Sequence, residues 1–521
     1  MPFTISASLS AWKWRRTASP NPSEGGELAP TFPSAFKGGE SGSSPKGRLG
    51  GASITLTNGW LTKDGAVLVG GKHQTPWWNG RTTDAAMAKA SYALTRFVPG
   101  YEGRGGTDRI DSVINEMQRT HTLLFSQNYG LWTDRRRDDH ERIRRKDGDA
   151  WAPFYEQPFA RTGLATSVQG GSSVLSSGSL AWDGLSKYDL TQLNRWYFWR
   201  LQQFAKKGES IGLMLKNQHY FQHNILEAGA HWVDCPWRTA NNVNGTPFLE
   251  PVNFTGDKRI FTATLFYDIT NPTLRQLHRQ YIRQSLDAFK GHSNVIHSIG
   301  EEFTGPLHFV QFWLDVIAEW ERDNGPVLVA LAVNKDVQDS ILNDPTRAKI
   351  VDFIDIEQWF YHNKGEYAPP GGVNMAQRQY MRKIRTGSAR FEDVYRAVSE
   401  YRTKYPDKAV IYSAQKYAEH GWASIMAGGS CANIPVTDSR FLKSLTAMKP
   451  RETVDAYLLE GPDGWVVCAK QGATNVSLDL GKKKYTLYQI DQKSGVFRKL
   501  GKLKDTAVMK DSCIYWITSA K

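Results

Sequence analysis

Between Ile54 and Ala427, apolar runs short enough for buried strands alternate with longer stretches of helical period, and this alternation restricts the fold more than any other feature of the chain. It is the pattern of a parallel sheet covered by helices. ITLTNGWLTKDGAVLVGG reads as short strands broken at Asn58-Gly59 and Asp64-Gly65, with Ala66 to Val69 as the first strand of the main sheet. Ile110, Val113, Ile114 and Met117 stand at helical spacing before a second strand, Leu123-Leu124-Phe125. Asp189 is placed to cap a helix through Leu193, Trp196, Tyr197 and Phe204, ahead of a third strand at Ile211 to Leu215. Asn271-Pro272 opens a helix in cap-then-proline order, and Val295 to Ile299 follows as the fourth strand. Val327 to Val333, Ile350 to Ile356, Ala409 to Ser413 and Ser424 to Ala427 continue the series as strands five to eight. Eight strands close a (β/α)8 TIM barrel, an α/β fold whose functional groups gather where strands end and the following loops begin.

The helical period stops near Lys449, and AYLLE, WVVCAK, VSLDL, YTLYQI, VMK and CIYWIT follow at turn spacing, as in a small antiparallel β-sandwich. Residues 1–50 are rich in Ser, Gly and Pro and are expected to be a flexible segment. The expected organisation is therefore 1–50 flexible, 51–447 barrel and 448–521 sandwich.

The net charge of +13 favours an anionic partner. Basic residues are nevertheless scattered, apart from the run around Arg136, and no nucleic-acid module surrounds them, so nucleic acid is not expected as a partner. Aromatic residues make up 12% of the chain and suit stacking on sugar rings as well as filling cores. Cys235, Cys431, Cys468 and Cys513 lack zinc-site spacing, and Cys468 with Cys513 could pair or remain free. With no nucleotide motif either, a reaction without metal or cofactor is expected. No run reaches the ~18 apolar residues of a membrane span, and the first residues lack the apolar centre of a secretory signal, so no membrane partner is expected. Localisation stays open, although a polysaccharide substrate would favour a secreted or periplasmic protein.

The chemistry-bearing residues fall at strand ends. IGEEFTGP puts Glu301 and Glu302 at the end of strand four, where adjacent carboxylates leave a strand on opposite sides. Either can be tied up by arginine, but a carboxyl held neutral beside a leaving oxygen is also what glycoside cleavage requires. FIDIEQWFYHN at strand six offers Asp355 and Glu357 on one pleat face; Glu357 lies nearer the mouth, and Asp355 is the more structural of the two. FSQNYGLWTDRRRDDHE after strand two brings Asn128, Trp132, Arg136 and Asp138, a solvated face or a loop that reads an acidic or heavily hydroxylated sugar. KNQHYFQHNILEAGAHWVDCPWR after strand three contributes His219, Trp237 and Arg238. Trp78 follows strand one and Gln415 follows strand seven, which completes the candidate substrate-binding set.

With GGKHQTPWW at strand one, the carboxylate-bearing strand four and AGGS after strand eight, residues 54–445 resemble the apiosidase-like glycoside hydrolases. YLLEGPDGWVVCAKQGATNVSLDLGKKKYTLYQIDQKSGVF is similar to the C-terminal immunoglobulin-like domain of that group, one named for collagen binding. The resemblance implies hydrolysis of an oligo- or polysaccharide, and the run around Arg136 adds an acidic or sulfated one as a candidate. It also implies an acid/base Glu after strand four and a nucleophilic Glu at the end of strand seven. The chain departs from this at VIYSAQKY, where Ala414 stands about where the nucleophile is expected. An inverting mechanism with Glu357 or another loop carboxylate, an altered or inactivated site and an alignment shifted by one or two residues are the competing explanations. A non-catalytic carbohydrate-binding barrel is the alternative function, and it would leave Glu302 and Glu357 tied up in separate ion pairs.

Overall fold

The computed structural model describes residues 54–73, 110–127, 155–162, 187–221, 235–250, 263–301, 303–362, 388–473, 476–481, 483–503, 506–509 and 513–519, with short pieces between them. Its first element is a three-stranded antiparallel sheet of β1 (Thr55–Thr57), β2 (Trp60–Lys63) and β3 (Ala66–Val67). Two-residue turns join these strands. Asn58-Gly59 and Asp64-Gly65 all have positive φ, the combination that matches strand twist in tight hairpins. Leu61 and Ile54 pack against Leu124, Met214, Ile296, Phe353 and Ala409, residues at or near the starts of the parallel strands, so the hairpin plugs that end of the barrel.

The parallel sheet runs in chain order through β4 (Gly71–His73), β5 (Thr122–Gln127), β6 (Met214–Phe221), β7 (Val295–Glu301), β8 (Leu328–Leu331), β9 (Phe353–Ile356) and β10 (Ala409–Tyr412). The expected first strand, Ala66 to Val69, is thus displaced, because Ala66–Val67 closes the hairpin and the parallel pairing starts at Gly71. The two edges of this sheet are joined by Ser430–Ala432. Ser430 N donates to Val410 O (2.7 Å), Cys431 N to Leu68 O (3.2 Å), and Gly70 N to Ala432 O (2.9 Å). The expected eighth strand, Ser424 to Ala427, lies instead within and just after a helix, Gly421–Met426. A short apolar run carries no period of its own, and here Trp422, Ile425 and Met426 are buried from helical positions.

The helices α1 (Ile110–Arg119), α2 (Arg195–Ile211), α3 (Pro272–Ala288), α4 (Leu307–Asn324), α5 (Lys335–Leu342) and α6 (Phe391–Lys404) fall between successive parallel strands. Asn271 caps α3 by accepting from Leu274 N, with Pro272 in the first turn, as the cap-then-proline signal predicts. The α2 start differs from expectation. Asp189 lies in a strand, Tyr188–Leu193, where its carboxylate accepts from Thr191, and the cap is Asn194, which accepts from Tyr197 N. The helix then runs through Ile211 to Gly212 at φ 85, so the third strand begins only at Met214.

Period-two alternation divides each barrel strand. Leu124, Met214, Ile296, Ala330, Phe353 and Ile411 face inward as one apolar layer. Phe125, Leu215 and Val295 face outward onto α1 and α2. Further along β6 and β7 the outward positions carry histidine. His219 Nδ1 accepts from Trp313 Nε1 (3.1 Å) of α4, so His219 Nε2 donates to His297 Nδ1 (3.2 Å). His278 on α3 accepts from the Tyr220 hydroxyl (3.0 Å) and donates to Phe266 O (2.9 Å). All three imidazoles are neutral and fully buried.

The C-terminal strands are β11 (Lys449–Glu452), β12 (Ala456–Gly461), β13 (Gly464–Ala469), β14 (Val476–Asp479), β15 (Tyr485–Ile490), β16 (Phe497–Leu503), β17 (Thr506–Met509) and β18 (Ile514–Ser519). Six form an antiparallel sheet in the order β11-β12-β13-β18-β15-β16, and β14 pairs with β17. Leu458, Val467 and Ile517 pack with Val476 of the smaller sheet. Residues on the opposite face, including Tyr457 and Trp516, meet Tyr395 (4.3 Å between ring centroids) and Phe441 (5.6 Å) on the barrel side. The sheet is therefore covered on both faces. Its edge strand β16, FRKLGKL, is mostly exposed and basic, which discourages edge-to-edge pairing and hides the strand from an apolar-alternation reading. Cys468 and Cys513 are not joined by a disulfide. Among the described residues no helix is long and apolar enough to cross a membrane.

Burial lowers the pKa of His297 and of His278 to about 3, and burial followed by the neighbouring His297 lowers that of His219 well below the ordinary range. Between pH 6.5 and about 3 the unfolded chain binds these protons and the folded protein does not, so stability is lost as pH falls through that window. Urea unfolding at pH 7, 6, 5 and 4 should show a falling midpoint, with a slope on the order of 1 kcal/mol per group per pH unit. His278→Gln should flatten that slope, and an unchanged slope would remove His278 from the account.

Candidate functional site

The inward side of the barrel changes character above its apolar layer. Ser126, Lys216, Gln218, Ser298, Asp355 and Ser413 are all buried polar residues on the barrel strands or at their ends. Their inward direction follows from the same alternation, since each lies two or four residues beyond an apolar inward residue of its own strand. Gln218 Nε2 donates to Ser126 Oγ (3.1 Å), while Ser298 Oγ is buried without a hydrogen-bond partner among the described residues.

Glu357 is the centre of this layer. Lys72 of β4 donates to its Oε1, and Lys216 of β6 donates to its Oε2 (3.0 Å). The Lys216 ammonium also reaches Asp355 Oδ2 (2.7 Å), and Ser413 Oγ donates to Asp355 Oδ1 (2.5 Å). Ser413, Asp355, Lys216, Glu357 and Lys72 thus form one chain of contacts across the first, third, sixth and seventh strands. Asp355 and Lys216 are 0% and 1% exposed, and Glu357, at 9%, is nearest the opening. The backbone beneath is fixed as well. Glu357 N donates to Asp355 O (3.0 Å), and Gln338 of α5 donates to both Leu331 O (2.6 Å) and Asp355 O (3.1 Å).

Burial alone would raise the Glu357 pKa. The ammonium groups of Lys216 and Lys72 outweigh it and hold the carboxyl down to about 2. Glu357 is therefore an anion at any ordinary pH and cannot donate a proton. Burial raises the Cys431 thiol to about 12, with the Asp355 charge acting in the same direction, so this thiol is protonated and inert.

The other expected residues are distributed unevenly. Glu301 ends β7, paired in register with Phe221, and its side chain lies outside the described residues. Glu302, Trp78, Asn128, Arg136 and Asp138 also lie outside them, as does the side chain of Trp132, whose strand Leu131–Trp132 pairs with Tyr155–Glu156. Gly300 just before the two glutamates passes so close to β6 that an added Cβ would stand 2.6 Å from Tyr220 O. His219 points away from the axis, with both ring nitrogens engaged under α4, which leaves neither for a sugar. Trp237 is 1% exposed and stacked on His278 at 4.5 Å, so it is core and offers no face to a ligand. Arg238 grips Glu250 through Nε (2.9 Å) and Nη2 (2.9 Å). Gln415 is exposed, with Oε1 accepting from Ala389 N (2.8 Å). At the end of β10 the inward group is Ser413, not a carboxylate, and Glu419 is an exposed partner of Lys416.

Lys72 and Lys216 were not among the expected residues. Their signal is present in GGKHQ and LMLKNQ, where a lysine occupies an inward position close to an apolar run. Read alone, such a lysine looks like a strand end reaching water, because the partner carboxylates are well over a hundred positions away in sequence.

A family model described as "Domain of unknown function (DUF6298)" matches residues 42–448. The chain belongs to this family. No curated protein matches the sequence of this DUF6298 member. Among solved structures it is similar to one titled "Glycoside hydrolase", at 9% identity and a TM-score of 0.47, covering 90% of this chain and 97% of the other. It is also similar to a glycoside hydrolase family 5 structure from Bacteroides vulgatus ATCC 8482, at 11% identity and a TM-score of 0.49, covering 90% and 93%. The endo-glycoceramidase II of Rhodococcus sp. in complex with ganglioside GM3 is a further match, at 10% identity and a TM-score of 0.34, covering 89% and 99%.

Removing one member of a buried ion cluster leaves the others uncompensated. Lys216→Met should lower unfolding stability by about 3–5 kcal/mol in urea titrations. Combining it with Lys72→Met, Asp355→Leu and Glu357→Leu, so that no charge of the cluster is left unpaired, should recover most of that loss. A quadruple variant as unstable as the single one would mean that the charges themselves hold the barrel together.

Proposed function

We propose that this DUF6298 member is a glycoside hydrolase acting on an oligo- or polysaccharide at the C-terminal ends of its barrel strands. The observation that carries the reading is Glu357, an ionised carboxylate fixed at the opening of a parallel barrel, with IGEE two strands away. Hydrolysis of a glycosidic bond requires one carboxyl that gives a proton and one carboxylate that faces the cationic anomeric centre. Glu357 fills only the second role, since two ammonium groups keep it ionised. The acid must then come from elsewhere, and Glu302 is our candidate, with Glu301 in reserve. Glu302 is preferred because it is the position that the resemblance matches to the acid/base Glu after strand four. Its proton passes to the glycosidic oxygen as the C–O bond breaks; water then bonds to the anomeric carbon that Glu357 faces and gives its proton back to the Glu302 carboxylate, which restores the acid.

This differs from a general base at Glu357, because a carboxyl of such low pKa is a poor proton acceptor. It also leaves the seventh strand without a catalytic carboxylate. The apiosidase-like resemblance and a C-terminal immunoglobulin-like domain remain part of the proposal, as does the boundary between barrel and sandwich near residue 448. The second reading, a non-catalytic carbohydrate-binding barrel, draws support from the same ion pairs, which engage both Glu357 oxygens.

Glu302→Gln should lower turnover of glycosides with poor leaving groups by roughly 10²- to 10⁴-fold and spare activated aryl glycosides. Glu357→Gln should abolish turnover of both. Equal loss on the two substrate types in Glu302→Gln would move the acid to Glu301, and saturable binding of glycans without any turnover by the parent protein would favour the second reading. Arg136 is proposed to select an acidic or sulfated glycan. Arg136→Ala should raise KM for an acidic substrate more than for its neutral counterpart, and an equal change would remove that selectivity.

A further inference from the structure

A buried ion pair is a weak source of stability, and apolar residues of similar volume usually serve a core as well or better. This barrel has such residues one layer lower. The charged groups of this cluster lie on the side where strands end, the place where departures from good core chemistry signal a functional site. Within the cluster, the two oxygens of Glu357 are served by different lysines from different strands, Lys72 on Oε1 and Lys216 on Oε2. Such an arrangement fixes the carboxylate plane, which a single ion pair would leave free to turn. Lys216 is anchored in turn by Asp355, and Asp355 by Ser413.

We propose that Lys72 and Lys216 are positioning residues that act through Glu357, holding its carboxylate ionised and in one orientation for the reaction at the barrel mouth, with Asp355 as the counter-charge that keeps Lys216 in place. This rests on the catalytic reading of Glu357 given above. Among the described residues, Lys72 from β4, Lys216 from β6 and Asp355 from β9 belong to this cluster, and the Asp355 charge acts in turn on the Cys431 thiol of the closing segment. With one lysine gone, Glu357 becomes protonated at a higher pH, and the acid side of the rate profile moves with it. With the charge restored as arginine, the profile returns.

Two measurements separate this role from a structural one. The carboxyl carbon of Glu357, assigned in protein labelled with ¹³C at glutamate Cδ by its loss in Glu357→Gln, should keep its carboxylate shift down to pH 4. Lys72→Met, the variant nearer the surface, should bring its titration upward by about one to three pH units, as should Lys216→Met if it folds. On an aryl glycoside, the acid limb of kcat/KM should move upward by the same amount in Lys72→Met and return in Lys72→Arg. A fall in kcat at all pH values with an unmoved limb overturns the proposal and leaves the glycosidase reading intact. An unmoved carboxyl titration in Lys72→Met also overturns it, with no substrate needed. If the parent protein cleaves no glycoside, the glycosidase reading fails and the positioning role falls with it, an outcome distinct from the other two.

Discussion

Two ammonium groups and two carboxylates share the barrel interior almost shielded from solvent, and they can do so only because their charges cancel. Any one of them alone would carry a desolvation penalty of several kcal/mol. This balance constrains what surrounds it. Lys72 must arrive from the first strand, Lys216 from the third, and both acids from the sixth, so the cluster exists only when those strands are held in one ring. The closing segment Ser430–Ala432 and the hairpin plug at the opposite end supply that ring.

Strand β6 shows how one sequence serves two environments. Its inward positions, Met214, Lys216 and Gln218, pass from the apolar layer to the charge cluster. Its outward positions, Asn217 and His219, enter a dry layer of imidazoles and aromatic rings beneath α3 and α4. From Met214 to His219 a polar residue in this strand is therefore functional or structural according to its parity, and His219 and Lys216, three positions apart, lie on opposite sides; Tyr220 departs from the rule, its hydroxyl reaching His278 of α3.

The same electrostatics limits the chemistry. A carboxylate flanked by two lysines is a fixed anion, suited to facing positive charge and unsuited to giving up a proton. Any reaction in this barrel that needs an acid must draw it from another residue. The absence of a carboxylate at the end of β10 has a local explanation, because the inward position there belongs to Ser413, which completes the Asp355 end of the cluster.

The sequence by itself determined the alternation of strands and helices, the hairpin turns at Asn58-Gly59 and Asp64-Gly65, the Asn271 cap and the placing of Asp355 and Glu357 on one pleat face. All of these are set by residues near one another in the chain. Tertiary structure alone decided the rest. The eighth barrel position fell to Ser430–Ala432, because short apolar runs such as Ser424 to Ala427 take their conformation from what they pack against. Trp237 and His219 looked like sugar contacts, but burial among rings from distant elements made them core. Lys72 and Lys216 looked like ordinary strand-end lysines until the fold brought them against Glu357. Their partner lies 285 and 141 residues away, a pairing that no local pattern encodes and only closure of the barrel creates.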